Sequence, residues 1–258
     1  MTALRTKFAN SEVIEEFFRG LRYVLDMSYP ITITGKALDP HHTYDPTSPD
    51  HRTDKRSVLC LSGPNLDSTG APMPVVVNDC VIDGGNLEWA SKQSFIFDLT
   101  FNRCTFKNGV ERAFDMVRGG KVTFNDCKWE NTVRKRVTSP YFSLAKQCDC
   151  GIKGGVRDIV FNRCSINDVL LGDYAIYDQQ DRPKTRRVTF NNCTNPNGGP
   201  IIVRGRYFES KTIQKINTKV NAWTWPKFVT AIYWWYNRKF GDTRKPAGWN
   251  VILPQELE

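Results

Sequence analysis

A short segment that recurs five times along the chain constrains the fold more than any other feature. Each copy places an apolar residue, an asparagine, a polar residue and a cysteine in succession, and four of the five copies have a large apolar residue two positions after the cysteine. The cysteines are Cys80, Cys104, Cys127, Cys164 and Cys193, so that successive copies are 24, 23, 37 and 29 residues apart. A period in the twenties is typical of stacked structural repeats.

The third copy, residues 122–129, shows how the segment is expected to fold. Apolar and polar residues alternate on both sides of the pair Asn125-Asp126, which predicts two short strands. The pair interrupts the alternation by one residue, so that Phe124 and Cys127 face the same side. This interruption predicts a tight turn, and asparagine tolerates the left-handed backbone that such a turn needs.

Five such corners, one in each coil, predict a parallel β-helix in which each coil pairs with its neighbours. The asparagines would form a ladder of side-chain amides, with the five cysteines stacked just inside; they are Asn78, Asn102, Asn125, Asn162 and Asn191. The residue between asparagine and cysteine alternates in charge, as Asp79, Arg103, Asp126, Arg163 and Asn192. Alternation favours stacked neighbours on an exposed face, because like charges there would repel.

An asparagine ladder at a tight corner, with aliphatic, aromatic and cysteine stacks inside, resembles the right-handed parallel β-helix of pectate-lyase-like proteins. The resemblance covers residues 56 to 210. It implies an all-β solenoid. That superfamily includes lyases, hydrolases, phage tailspikes and non-catalytic virion proteins, so the resemblance does not by itself select an activity.

We expect the chain to have three parts: an N-terminal capping helix in residues 1–30, the β-helix in residues 31–210, and a docking helix and arm in residues 211–258. The apolar stripe and acidic start of residues 10–27 predict a helix that either covers the open end of the solenoid or docks on a partner subunit.

Residues 227–240 are apolar nearly all round and predict a second helix. This helix would pack on the solenoid, enter an interface or, as a third and weaker alternative, lie on a membrane surface. The aromatic residues of this region are the predicted interface: Trp223, Trp225, Trp234, Trp235 and Tyr236.

The two longest intervals between cysteines predict loops, which in solenoids often emerge on the working face. If both loops leave the same side, they form a basic, tyrosine-containing ledge; if not, they are solvated loops without a ligand. The predicted ligand-binding residues of this ledge are Arg134, Lys135, Arg136, Tyr174, Tyr177, Asp178 and Arg187.

Metal binding and oxidation of the cysteines receive little support. All three histidines lie within residues 38–55 among three prolines, which favours a surface loop, and Cys148-X-Cys150 lacks a second ligand pair at zinc-site spacing. We therefore predict no metal site. The N-terminus has no apolar signal-peptide core, which predicts synthesis in the cytoplasm and free thiols. The spacing of neighbouring coils leaves disulfides geometrically open.

The net charge of +9 predicts an acidic partner, and residues 204–258 alone carry +6. An anionic polysaccharide, a nucleic acid or an acidic protein face would satisfy this charge. The sequence lacks a Gly-rich phosphate loop and a zinc finger, so we expect no specific nucleic-acid binding. The uncharged stretch 228–237 is far shorter than the ~20 residues of a membrane span.

Two functions remain. The stretch Asp181–Arg186 resembles the Arg-X-Pro-X-X-Arg signature of β-helix lyases, with aspartate in place of the first arginine. This resemblance implies a polysaccharide lyase with Arg182, Lys184 and Arg186 as candidate catalytic residues and Ca²⁺ as cofactor. The paired aspartates and Gly-His-Gly of β-helix polygalacturonases do not occur. We favour the other function, a non-catalytic structural or adhesive component of a phage or virus particle without a cofactor. The resemblance then implies a homo-oligomer, with a trimer as one possibility.

Overall fold

The structure, a computed structural model, is built of β-strands. It describes residues 7–8, 11–16, 23–25, 31–35, 37–38, 57–62, 65–84, 89–109, 112–130, 148–171, 185, 187–205, 208 and 210–224. Within these ranges there are eighteen strands, a 3-10 helix over Ser210–Thr212 and no α-helix. The prediction of an all-β chain is confirmed for this part of the sequence.

The strands are numbered in chain order. They are β1 Lys7–Phe8, β2 Ser11–Glu16, β3 Tyr23–Leu25, β4 Ile31–Thr34, β5 Ala37–Leu38, β6 Ser57–Ser62, β7 Val75–Asn78, β8 Val81–Asp83, β9 Trp89–Asn102, β10 Thr105–Lys107, β11 Arg112–Asn125, β12 Lys128–Glu130, β13 Cys148–Asn162, β14 Asp168–Leu171, β15 Arg187–Asn191, β16 Ile201–Gly205, β17 Ile213–Ile216 and β18 Val220–Thr224.

These strands form one sheet of fourteen strands and one of four. The longest path through the larger sheet runs β1-β2-β3-β6-β9-β11-β13-β14-β16-β18, and the smaller sheet has the order β12-β10-β8-β5. Among the described strand pairs, β1–β2 and β2–β3 are antiparallel and the others are parallel. Stacked parallel strands of this kind are compatible with a β-helix-like solenoid.

Successive repeats pair in the register that the sequence predicts. Phe101 pairs with Phe124, Phe124 with Phe161 and Phe161 with Phe190, and the asparagine that follows each phenylalanine pairs in the same way. The longer cysteine intervals therefore do not disturb the pairing, because the extra residues lie between strands. The register prediction is confirmed.

The core lies beneath these paired strands and contains a stack of aromatic rings among aliphatic and cysteine side chains. Phe101, Phe124, Phe161 and Phe190 are all fully buried, and their rings stack with centroids 5.5, 5.1 and 5.0 Å apart. Burial of one such side chain contributes about 1.5–3 kcal/mol. The aromatic stack therefore stabilises the observed register of the four repeats from Phe101 to Phe190.

The long strands β9 and β11 approach each other closely at Gly120. The pairing of β11 with β13 shifts between Val117 and Gly119. A Cβ atom on Gly120 would collide with the carbonyl oxygen of Phe97. Glycine is therefore required here because the two backbones leave no room for a side chain.

The helix predicted over residues 10–27 is wrong where the structure describes this segment. Ser11–Glu16 and Tyr23–Leu25 are strands that pair antiparallel with each other. Strand β3 then pairs parallel with β6, through Tyr23 with Leu59 and Val24 with Cys60. The apolar spacing suits a helix, but the available sheet edge and the β-branched and aromatic residues favour a strand.

The C-terminal strands extend the parallel stack beyond the boundary that we predicted at residue 210. Strand β17 pairs with β15, and β18 pairs with β16 as far as Thr224. Trp223 therefore lies in a strand of the stack. The helix predicted over residues 227–240 lies outside the described residues.

Candidate functional site

The corners of the repeat are left-handed, but at a different residue from the one that we predicted. Asp79, Arg103, Asp126, Arg163 and Asn192 have φ values of 54°, 52°, 55°, 51° and 51°. The residue after the asparagine therefore adopts the left-handed conformation, and the prediction that the asparagine itself does so is wrong. The backbone of the asparagine remains in the strand, which places the asparagine side chain next to that of the neighbouring repeat.

The predicted ladder of asparagine side chains is confirmed. Asn102 Nδ2 donates to Asn78 Oδ1 at 2.8 Å, and Asn125 Nδ2 donates to Asn102 Oδ1 at 2.7 Å. Asn162 and Asn191 continue the series toward the C-terminus, each with a bond of 2.7 Å. Each interior amide both donates and accepts, so the half-buried polar atoms are satisfied by equivalent residues.

The structure shows two further corners that the sequence repeat did not reveal. Thr34-Gly35 precedes the first asparagine corner, with Gly35 N–H donating to Asn78 O at 2.9 Å. Ile216-Asn217 follows the last one, with Asn192 N–H donating to Ile216 O at 2.9 Å. At that corner Thr218 takes the place of cysteine. The Thr218 hydroxyl donates to Ile216 O and accepts from Cys193 N–H. A search for threonine as well as cysteine two residues after each strand would therefore have found this corner.

The residues that follow the corner asparagines form ion pairs between neighbouring repeats, and we call this row of residues the corner column. Arg103 donates to both carboxylate oxygens of Asp79 at 2.6 and 2.8 Å, and Arg163 donates to those of Asp126 at 2.7 and 2.7 Å. These hydrogen bonds hold the pKa of the Asp79 and Asp126 carboxyl groups below their usual range. The predicted alternation of charge is therefore confirmed as direct pairing.

Two more columns alternate in sign, and the sequence analysis missed both. The strand column is Asp98, Lys121, Asp158 and Arg187, whose members pair in register. The short column in the smaller sheet is Asp83, Lys107 and Glu130. Arg187 lies 3.4 Å from Asp158, and Lys107 lies 3.2 Å from Asp83. A search five residues before each corner would have found the strand column.

The five repeat cysteines form the predicted column beneath the corners. Each is buried, and the thiols of Cys104, Cys127, Cys164 and Cys193 donate to a backbone carbonyl of the preceding repeat. The cysteines whose side chains the structure describes are free thiols: Cys80, Cys104, Cys127, Cys148, Cys150, Cys164 and Cys193. Burial raises the pKa of the Cys127 thiol, so this group is a poor nucleophile. The column is structural.

Three aspartates are buried on the strand face opposite the core: Asp115, Asp149 and Asp168. Asp149 accepts from the backbone N–H and the side-chain amide of Asn167 at 2.7 and 2.9 Å. Asp168 accepts from Asp149 N–H at 2.8 Å and from Arg204 at 2.9 Å. The Asp149 and Asp168 carboxylates are therefore held by amide and guanidinium donors, which stabilises their charge in a buried environment.

The two predicted loops attach beside the strands that carry this network. The predicted loops are residues 131–155 and 173–187, and both predicted C-terminal bounds are wrong, because β13 begins at Cys148 and β15 begins at Arg187. The first loop therefore ends where β13 begins, and the second follows the end of β14 at Leu171. Strands β13 and β14 pair with each other. Both attachments therefore lie next to one pair of strands, although the loops themselves lie outside the described residues.

Of the predicted site residues, the structure describes Arg187 and Trp223. Arg187 is exposed and belongs to the strand column, where it pairs with Asp158. Trp223 is exposed on the last strand of the stack. The remaining ligand-binding, catalytic and interface candidates lie outside the described residues: Arg134, Lys135, Arg136, Tyr174, Tyr177, Asp178, Arg182, Lys184, Arg186, Trp225, Trp234, Trp235 and Tyr236.

The last repeat, residues 210–224, presents an exposed surface that is basic and partly apolar. Ile216 and Trp223 are 58% and 45% exposed, and the exposed Lys211, Lys215 and Lys219 carry its charge without any acidic residue. A basic surface with an exposed indole can contact acidic or polyanionic partners.

Within the described ranges, no group of three or more histidine, cysteine or acidic residues is placed to hold a metal ion. No helix in this part of the chain has the length and apolar character needed to cross a membrane.

Comparison of the chain with known protein families, with curated proteins and with solved structures finds no match.

Proposed function

We propose that this chain is a right-handed parallel β-helix that acts as a non-catalytic structural or adhesive protein. Its setting would be a phage or virus particle, where it binds an anionic polysaccharide or a neighbouring particle protein. It would work without a cofactor and without specific binding to nucleic acid. Assembly as a homo-oligomer, including a trimer, belongs to the same proposal.

The observation that supports this proposal is the mutual bonding of equivalent residues along the stack. The corner asparagines bond to one another, the corner aspartates bond to corner arginines, and the thiols donate to backbone carbonyls. These polar groups thus stabilise the neighbouring repeat, as expected of a rigid scaffold. Solenoids present such scaffolds as extended binding surfaces.

The choice of an anionic polysaccharide follows from charge. The chain carries a net charge of +9, and the carboxylates of the corner column already pair with arginines. These pairs neutralise equal numbers of acidic and basic groups and leave the net charge unchanged. The excess positive charge would attract a polyanion, and this attraction would weaken as salt rises. The segment 134–136 contributes three consecutive basic residues to this excess.

The test is affinity electrophoresis of the purified protein in gels that contain uronate-rich or sulfated polysaccharides, with neutral dextran as the reference. We expect retardation by a polyanion, and weaker retardation when Arg134, Lys135 and Arg136 are replaced together by glutamate. The control is Lys128→Glu, which changes an exposed lysine on β12. Equal loss in both variants would indicate non-specific attraction.

The same polysaccharides, incubated with the protein with and without Ca²⁺, test the alternative function. New reducing ends together with ultraviolet absorbance from unsaturated sugar would identify a polysaccharide lyase, and Arg182, Lys184 and Arg186 would become the first residues to replace. Retardation without product supports the adhesive function. The absence of both retardation and product would contradict a polysaccharide as the partner.

A further inference from the structure

The chain contains two asparagine-glycine pairs, Asn108-Gly109 and Asn197-Gly198. In such a pair the backbone nitrogen of the glycine can attack the side-chain carbonyl carbon of the asparagine, because glycine has no side chain that hinders the approach. The attack requires that the nitrogen and the side-chain amide be free to meet. The two pairs differ in this respect, because the fold gives them different surroundings.

The Asn108-Gly109 pair is enclosed by the neighbouring repeat. Asn108 Nδ2 donates to Asp83 Oδ1 at 2.7 Å, and Gly109 is buried. A Cβ atom on Gly84 would lie 3.0 Å from Asn108 O and 3.2 Å from Gly109 N, so the Gly84 backbone packs against the peptide bond between the pair. We expect this pair to react only when the repeats separate.

The Asn197-Gly198 pair lies instead in the loop between β15 and β16, where residues 196–200 are all exposed. Apart from the chain neighbours, no atom of a described residue lies within 4 Å of the place that a Cβ atom on Gly198 would take. Asn197 N–H donates to Asn195 Oδ1 at 2.8 Å, and Gly198 N–H donates to Asn195 O at 2.9 Å. Both bonds are local to the loop, so they can open without separation of the repeats.

We propose that Asn197 is a modification site at which the side-chain amide is converted, without an enzyme, into a carboxylate. The Gly198 nitrogen loses its proton to hydroxide and forms a bond to Asn197 Cγ, and the Nδ2 group leaves as ammonia. Water then opens the cyclic imide at either of its carbonyls, which gives aspartate or isoaspartate. The net reaction consumes one water and releases one ammonia, and no oxidant or reductant takes part.

The modified residue would lie beside the buried carboxylate network. Asn197 Nδ2 donates to Asn167 Oδ1 at 2.5 Å, and Asn167 in turn donates to Asp149 through its backbone N–H and its side-chain amide. An ionised carboxylate at position 197 only accepts hydrogen bonds, so the bond to Asn167 is lost. Modification would therefore release the loop from Asn167 and add a negative charge beside it. This inference does not depend on the function proposed above.

Peptide mapping by mass spectrometry, after incubation of the protein at neutral and mildly alkaline pH, tests the proposal. In the folded chain, Asn197 is expected to convert faster than Asn108 by about tenfold or more, because Asn108 reacts only after the repeats separate. Alkaline pH should accelerate the conversion, since hydroxide removes the proton from the glycine nitrogen. In the chain unfolded by guanidinium chloride, both pairs should convert at similar rates, because the surroundings that distinguish them are gone.

The matched control is Asn197→Gln, whose longer side chain would have to close a larger and slower-forming ring. This variant should show no conversion at position 197, while Asn108 behaves as in the unchanged chain. Equal rates at Asn108 and Asn197 in the folded chain overturn the proposal. An Asn197 that stays an amide in the folded chain, while the unfolded chain converts it, also overturns the proposal.

The variant Asn197→Asp carries the carboxylate from the start and tests its effect on the network. Hydrogen exchange at the Asn167 N–H, which donates to Asp149, should be faster than in the unchanged chain by about twofold or more, because Asn167 has lost the bond from Asn197. An unchanged exchange rate at Asn167 would overturn the connection between the modification and the network.

Discussion

At the scale of single residues, each corner divides two tasks between neighbouring positions. The asparagine stays in the strand and bonds to the next asparagine, while the residue after it adopts a left-handed backbone at φ near 50°. Left-handed backbone costs roughly 1–2 kcal/mol for a residue with a Cβ atom. By propensity, asparagine is the best candidate for the left-handed position. The ladder, however, requires the asparagine side chain to lie in the strand, one residue earlier. The sequence alone could not show which demand prevails.

Asn192 offers a direct test of this division. Replacement by valine should lower the free energy of unfolding by about 1–2 kcal/mol, because a β-branched residue is strained at its left-handed φ of 51°. Replacement by glycine should change it little, since relief of strain offsets the entropy cost of about 0.5–1 kcal/mol. Urea unfolding of both variants measures the difference. Equal destabilisation would contradict a role for backbone conformation.

The ladder predicts that an interior amide is worth more than a terminal one. Asn125 donates to Asn102 and accepts from Asn162, whereas Asn191 donates to Asn162 and no described residue donates to its Oδ1. At about 0.5–1.5 kcal/mol for each bond, Asn125→Ala should cost about twice as much as Asn191→Ala. Chemical unfolding monitored by circular dichroism checks the ratio. The reverse order would show that the ladder does not contribute cooperatively.

At the scale of elements, the charged columns specify which strand lies next to which. In each of three successive repeats, the corner residue and the strand-column residue five positions earlier are opposite in sign, as in Arg103 with Asp98 and Asp126 with Lys121. Exposed pairs contribute only about 0–1 kcal/mol each. Their principal effect is to disfavour neighbours of like charge.

The corner column also predicts a dependence of stability on pH. Arg103 and Arg163 lower the pKa of Asp79 and Asp126 in the folded chain. The two ion pairs therefore make their full contribution to the free energy of unfolding above the unfolded pKa of about 3.9. It disappears as pH falls through the lower folded values. The double variant Asp79→Asn/Asp126→Asn should therefore lose less stability than the unchanged chain on acidification. Urea midpoints at neutral and acidic pH compare the two; equal losses would contradict the prediction.

Sequence reasoning succeeded where the signal was repeated and failed where it was local. The register followed from five similar segments, whereas residues 10–27 offered one apolar stripe that fits a helix in isolation. The paired strands there depend on β6, far along the sequence, and no local pattern contains that information. The buried network of Asp149 and Asp168 was missed for the same reason, since its partners become neighbours only through the pairing of β13 with β14.

At the scale of the whole molecule, each interior repeat pairs with a repeat on both sides, whereas the last repeat pairs on one side among the described strands. Stability in such stacks is close to a sum of nearest-neighbour terms, so the ends should open first.

Hydrogen exchange at the corner amides measures this gradient. Asp126 N–H donates to Asn162 O in the middle of the stack, and Asn192 N–H donates to Ile216 O near its C-terminal end. We expect exchange at Asp126 to be slower by about tenfold or more, since a difference of about 1.4 kcal/mol in opening free energy is sufficient. Equal protection would indicate that the stack opens only as a whole.

The alternating columns have a consequence for how a chain like this can lengthen over generations. Duplication of a single repeat would copy one sign beside itself in both the corner column and the strand column, so that each new neighbour would face a like charge. Duplication of two adjacent repeats would preserve every opposite-charge contact. Lengthening by pairs of repeats is therefore favoured over lengthening by single repeats, and a compensating change of charge would reduce the cost of a single inserted repeat.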